Sequence, residues 1–183
     1  VTVYQNASFA LIDALIAARV LVPEMYDLCD ALLAQSCLNQ RKNARTSAGR
    51  AAVDFMITYP LGDKKFTAQL NQLLTNASSY EHEAGRVSAL GALGEVVKRL
   101  PLPVLENSAR ALFVPLCLQL VNDSALACRR AAEEVLSGLA RRAEADTIKY
   151  FFDSAGTWLA PLRSADTSKL RQKALGLVRV GAA

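Results

Sequence analysis

The chain has 183 residues, 52% apolar and only 7% aromatic, with nine Gly and six Pro. That is enough for one ordinary domain and favours helices over the short, turn-rich strands of a sandwich. A net charge of +4, from 21 basic and 17 acidic residues, permits a nucleic-acid partner without requiring one. There is no uninterrupted apolar run of about 18 residues, since Phe9 to Val22 is broken by Asp13 and Arg19. Cys29, Cys37, Cys117 and Cys128 have neither CxxC spacing nor a nearby His. A soluble, intracellular protein with buried, reduced thiols is expected, with no metal, cofactor, membrane or small-molecule substrate.

The first predicted helix covers Ser8 to Leu21 and is stopped by Pro23, and the second runs from Glu24 to Leu38 and ends at Asn39. A third spans Lys42 to Thr58. Pro60-Leu61-Gly62-Asp63 then forms a tight turn whose Asp63 can cap a fourth helix reaching Asn76. The fifth extends from Glu81 to Leu100 and is closed by Pro101 and Pro103. Val104 to Val121, Ser124 to Arg142, Asp146 to Leu159 and Thr167 to Val180 complete the series. Short turns between them imply antiparallel neighbours.

A repeat underlies these helices. From Pro115 to Leu136 the chain carries a proline in a first helix, Asp123 at the turn, Cys128-Arg129 after it, and then Ala132 and Leu136 at helical spacing. This arrangement resembles the HEAT repeat, in which the Asp accepts hydrogen bonds at the turn, the Arg pairs along a ladder of turns and the Ala allows close helix packing. A shift of 43 residues lays Gly85, Arg86, Ala89 and Leu93 on Cys128, Arg129, Ala132 and Leu136. The same skeleton is read at Arg50, Val53 and Ile57 and at Arg171, Ala174 and Val178. Arginines at 50, 86, 129 and 171 are spaced by 36, 43 and 42, within the HEAT and armadillo range if the first repeat is shortened. One hairpin cannot bury its apolar stripe alone, so neighbours must supply the missing core. The expected fold is therefore an all-α solenoid of about four hairpins, near 24–58, 63–100, 104–142 and 146–180, after an N-terminal helix, with the whole chain one segment of a larger array.

Two strings go beyond a generic repeat: Phe55-Met-Ile-Thr-Tyr-Pro-Leu-Gly-Asp-Lys-Lys65 and Tyr80-Glu-His-Glu-Ala-Gly-Arg-Val-Ser88. With Leu21-Val-Pro-Glu24, Phe113-Val-Pro-Leu116 and Val121-Asn-Asp-Ser124, they resemble, in the same order, the down-regulated-in-metastasis family of very large HEAT-repeat proteins of the small-subunit processome. Val87 departs from that family, which usually carries an acid there. The resemblance covers about residues 11 to 140. It implies a non-catalytic nucleolar scaffold in small-subunit ribosomal RNA processing, whose partners are the proteins and RNA of the pre-ribosomal particle. The residue pattern alone leaves a protein-only adaptor open, such as a transport receptor or phosphatase scaffold.

No catalytic constellation emerges. His82, the sole histidine, is flanked by Glu81 and Glu83, but adjacent helical positions point apart, and acids at a helix start are favoured by its dipole. Residues 1 to 40 sum to −3 and residues 41 to 65 to +4. Arg50, Arg86, Asp123, Arg129 and Arg171 are read as the structural ladder. The off-template bases Arg41, Lys42, Lys64, Lys65, Arg141 and Arg142 are the candidates for RNA or partner contact. Tyr150, Phe151, Phe152 and Trp158 are read as packing between helices rather than stacking on bases.

Overall fold

The computed structural model describes residues 2–159, and among these it contains eight helices and no strand. They are α1 Thr2–Ala17, α2 Pro23–Leu38, α3 Lys42–Thr58, α4 Gly62–Ser79, α5 Glu83–Arg99, α6 Leu102–Asn122, α7 Leu126–Arg142 and α8 Ala145–Leu159. The fold class is all-α, of the helical-repeat solenoid type: α2 packs on α3, α4 on α5 and α6 on α7 as successive hairpins. The chain divides into two compact units, Val1–Arg99 and Leu100–Ala183. The predicted helix at 167–180, and Arg171 with it, lies outside the described residues.

In the first unit α3 is the central helix, against α1, α2 and α5. Its sequence explains this, because Ala44, Ala48, Ala51 and Ala52 let neighbours approach from several sides. A Cβ on Gly49 would stand 3.5 Å from Ala92 Cβ and 3.6 Å from Ser36 Cβ. Larger side chains, Phe55, Leu33, Leu73, Leu90 and Leu93, fill the layers between. Phe55 stacks on Tyr59 with ring centroids 3.9 Å apart, and Tyr26 meets both edge-on.

The first helix begins earlier and ends earlier than expected. It stops at Ala17, well before Pro23, because the chain turns left-handed at Arg19 (φ 51°). The Arg19 N–H donates to Ile16 O and the Val20 N–H to Leu15 O, the paired bonds of a Schellman ending with arginine where glycine is usual. The Tyr59 hydroxyl reaches across from α3 and donates to Val20 O (3.0 Å) and Leu15 O (3.3 Å), fixing that ending to the core. Burial raises the Tyr59 pKa above its usual value. At the α3–α4 turn, Gly62 takes φ 66° and the helix begins there, so Asp63 lies inside the helix. The N-cap is Leu61, which makes no side-chain cap, and Asp63 instead places an acid in the first turn, where the helix dipole favours it.

In the second unit α6 is 21 residues long and, by length and composition alone, apolar enough to cross a membrane. Its apolar side is instead the core of this unit: Leu105, Leu112, Phe113, Leu116 and Leu120 are buried, and Leu136 and Leu139 of α7 are buried with them. Phe113 stacks on Phe151 (4.1 Å) and, at 6.0 Å, on Trp158, while Phe152 remains 71% exposed. Glu106 of α6 caps the start of α8, accepting from the Glu144 N–H and the Thr147 hydroxyl, each at 2.6 Å.

Candidate functional site

The turns inside the hairpins carry the most organised polar chemistry. At α6–α7, Arg129 Nη1 donates to Asp123 O (2.7 Å) and Ser124 O (3.2 Å), the carbonyls six and five residues before it. The Ala125 N–H donates to Asp123 Oδ1 (2.7 Å), and Gln119 Nε2 bonds the other carboxylate oxygen. At α4–α5, Arg86 Nη1 donates to Tyr80 O and Glu81 O, both at 2.9 Å, at the same two offsets.

The corresponding arginine at α2–α3 is Arg45, not Arg50. Arg45 Nη1 donates to Asn39 O (2.8 Å) and Gln40 O (3.0 Å), again six and five residues back, and its Nε donates to Ser88 Oγ of α5 (3.1 Å). Asn39 takes the place of Asp123: its Oδ1 accepts from the Arg41 N–H (3.0 Å), and its amide bonds Gln35, the counterpart of Gln119. The three turns thus read Gln35, Asn39, Arg45; Asn76, Tyr80, Arg86; and Gln119, Asp123, Arg129. Their arginines are 41 and 43 residues apart, so the first repeat is not shortened.

Arg50 lies more than one helical turn beyond Arg45, with half its side chain exposed. It pairs with Asp13 of α1 (2.6 Å) and Asp54 (3.5 Å), and Arg99 pairs with the other oxygen of Asp54 (2.5 Å). The hydrogen bond that Arg50 donates to Asp13 raises the Arg50 pKa. Arg50 therefore ties α1 to α3 through charge and holds no turn. Its apolar companions Val53 and Ile57 satisfied a spacing that Ala48 and Ala52 satisfy for Arg45.

The six off-template bases separate into two groups. Lys65 lies 3.0 Å from Asp30 and 5.8 Å from the Tyr26 ring, so its charge is engaged between α4 and α2. Arg142 donates to Leu100 O (2.7 Å) and is half-buried. Arg41, Lys42, Lys64 and Arg141 are exposed. Arg41 and Lys42 stand together on a cleft of about 440 Å³, lined also by Gln5, Asn6 and Phe9 of α1 and by Asn43, Ala44 and Ser47 of α3. Arg41 Nη1 accepts the support of Gln5 there, donating to its Oε1 at 3.2 Å.

All four cysteines are free and buried. Burial pushes the Cys29 and Cys117 thiols up to about 12, so neither is a thiolate nucleophile at neutral pH. Among the described residues no group of three or more His, Cys, Asp or Glu is placed to hold a metal ion. His82 is exposed, its ring edge-on to Tyr80 at 5.7 Å.

No protein-family model matches the chain. Over 154 residues, 84% of the chain, it is 25% identical to U3 small nucleolar RNA-associated protein 20 of Schizosaccharomyces pombe. The protein of that name from Saccharomyces cerevisiae is 22% identical over 161 residues, 88% of the chain. Both similarities fit the down-regulated-in-metastasis family. The chain spans only 6% of the length of each relative.

The two strings that carry the family resemblance are structural in this chain. Phe55 and Tyr59 form the stacked core pair, Gly62 makes the left-handed turn, and Lys65 pairs with Asp30. In the second string, Tyr80 fills the turn position held by Asn39 and Asp123 elsewhere. A Cβ on Gly85 would meet the Tyr80 ring at 2.3 Å and Cys37 O at 2.8 Å, so the glycine is what seats the ring. Where the turn residue is smaller, the equivalent positions are Ala44 and Cys128.

Proposed function

We propose that the chain is a non-catalytic scaffold and binding segment of a nucleolar helical-repeat protein, acting in small-subunit ribosomal RNA processing and pre-ribosome assembly. The observation that carries this reading is the similarity, across more than four-fifths of the chain, to two proteins named for association with the U3 small nucleolar RNA. The chemistry agrees with it: the ordered polar groups are spent on turns and helix contacts, while Arg41, Lys42, Lys64 and Arg141 face solvent as partner contacts. Proteins and RNA of the pre-ribosomal particle are the partners, and the turn arginines Arg86 and Arg129, with Asp123, serve as internal supports.

Depletion of the protein in its own cells tests this. Precursors of the small-subunit ribosomal RNA should accumulate while large-subunit precursors stay near their normal level. Unchanged precursors, with the protein spread evenly through the cell, would overturn it and favour an adaptor outside ribosome assembly.

A further inference from the structure

The cleft between α1 and the start of α3 differs in chemistry from the equivalent places in the other hairpins. Aligned on Arg45, Arg86 and Arg129, position Arg41 corresponds to His82 and Ala125, and Lys42 to Glu83 and Leu126. All three turns close with the same arginine geometry, so the repeat does not need a cation at either position. Closing the turn therefore does not account for these two adjacent cations, although Arg41 also donates to Gln5 Oε1 of α1. They border a concavity of about 440 Å³, within the range that holds a small ligand. Its lining supplies hydrogen-bond donors from Gln5, Asn6, Asn43 and Ser47, and no carboxylate. The nearest acid along α1, Asp13, is already paired with Arg50. Phe9 contributes a half-buried ring to the same wall.

We propose that this cleft binds the backbone of single-stranded RNA. Arg41 and Lys42 meet consecutive phosphates, the amide and hydroxyl donors hold the intervening sugar-phosphate, and Phe9 offers its ring to a base. A cation pair with surrounding donors suits a phosphodiester, and an aromatic wall suits an unstacked base, which a double helix does not present. The inference deepens the scaffold reading and rests on it for the choice of an RNA partner.

The test is anisotropy of a labelled, unstructured oligouridylate titrated with the full chain across a salt series. R41A/K42A should weaken binding on the order of tenfold at low salt. It should also flatten the plot of log affinity against log salt by about 1.4, at about 0.7 for each cation on a single strand. F9A should weaken binding severalfold and leave that slope unchanged. Lys98→Ala, an exposed cation paired with Glu95 and outside the cleft lining, should change affinity less than twofold. If R41A/K42A loses helicity, K42E at its solvent-facing position supplies the same reading. The proposal is overturned by wild-type affinity and slope in R41A/K42A, or by no binding of the wild-type chain at low salt. It is also overturned if polyglutamate displaces the RNA as potently as unlabelled RNA does, which marks an acidic protein partner. These failures leave the scaffold reading standing, because precursor accumulation on depletion is read independently of the cleft.

Discussion

Replacing Arg45 by alanine separates the turn arginines from the ordinary surface charges. Arg45 is only 7% exposed and makes two bonds to turn carbonyls and one to Ser88. A charge-assisted hydrogen bond contributes about 1.5 kcal/mol or more, and a buried carbonyl left without a donor adds a desolvation cost. Water at the rim of the turn recovers part of this, leaving a loss of about 2 to 4 kcal/mol. Arg50→Ala removes a half-exposed ion pair and should cost about 0 to 1 kcal/mol. At a urea dependence of roughly 1 to 3 kcal/mol per molar, Arg45→Ala should lower the unfolding midpoint by about 1 M or more, and Arg50→Ala by much less. Hydrogen exchange of the α2 and α3 amides localises the loss to the first unit. Arg45→Lys should recover less than half, since an ammonium cannot span two carbonyls and a hydroxyl as the guanidinium fork does. Equal losses at positions 45 and 50, or a larger one at 50, would refute the assignment of Arg45 to the turn.

Other expectations follow from single contacts. Gly85→Ala should cost about 1 to 3 kcal/mol in a urea titration by driving a Cβ into the Tyr80 ring and Cys37 O, and adding Tyr80→Asn should recover part of that loss. If the two changes simply add, the ring is not what requires the glycine. Arg19→Gly should raise stability by roughly 0.5 to 1 kcal/mol, because it removes a side chain from a left-handed backbone, and a lower melting temperature would contradict this. Cys29, Cys117 and Tyr59 hold their protons more tightly folded than unfolded, so their contribution is complete below the unfolded values of 9.0 for the thiols and 10.0 for tyrosine. It is lost as pH rises through the raised folded values, which for the thiols are about 12. Urea midpoints should therefore hold steady from pH 7 to about 8.5 and fall between about 9 and 12, with a shallower fall in a Cys29→Ala, Cys117→Ala variant; parallel curves would argue against it.

The all-α class and the turn positions were legible because Pro23, Asn39, Pro60, Gly62, Pro101 and Asp123 punctuate strongly periodic helices. The register of the first repeat was not. An arginine followed by apolar residues three and seven positions later occurs at both 45 and 50 in a helix buried on several sides, so apolar spacing cannot choose between them. The polar spacing can: Gln35, Asn39 and Arg45 repeat the intervals of Gln119, Asp123 and Arg129, and that signal was present in the sequence. Lys65 and Arg142 read as free bases because their acceptors, Asp30 and Leu100 O, lie 35 and 42 residues away and are brought near only by helix packing. Ending α1 at Arg19 was equally hidden, since a left-handed arginine carries no sequence signature.

The most direct measurement is co-sedimentation of the endogenous, full-length protein on a density gradient of nucleolar extract, probed for the U3 RNA and for precursor small-subunit ribosomal RNA. The scaffold reading predicts that protein and both RNAs peak in one large particle at moderate salt, and that the protein shifts to lighter fractions once RNase has digested the RNA. A protein that sediments apart from both RNAs, and is indifferent to RNase, would contradict it.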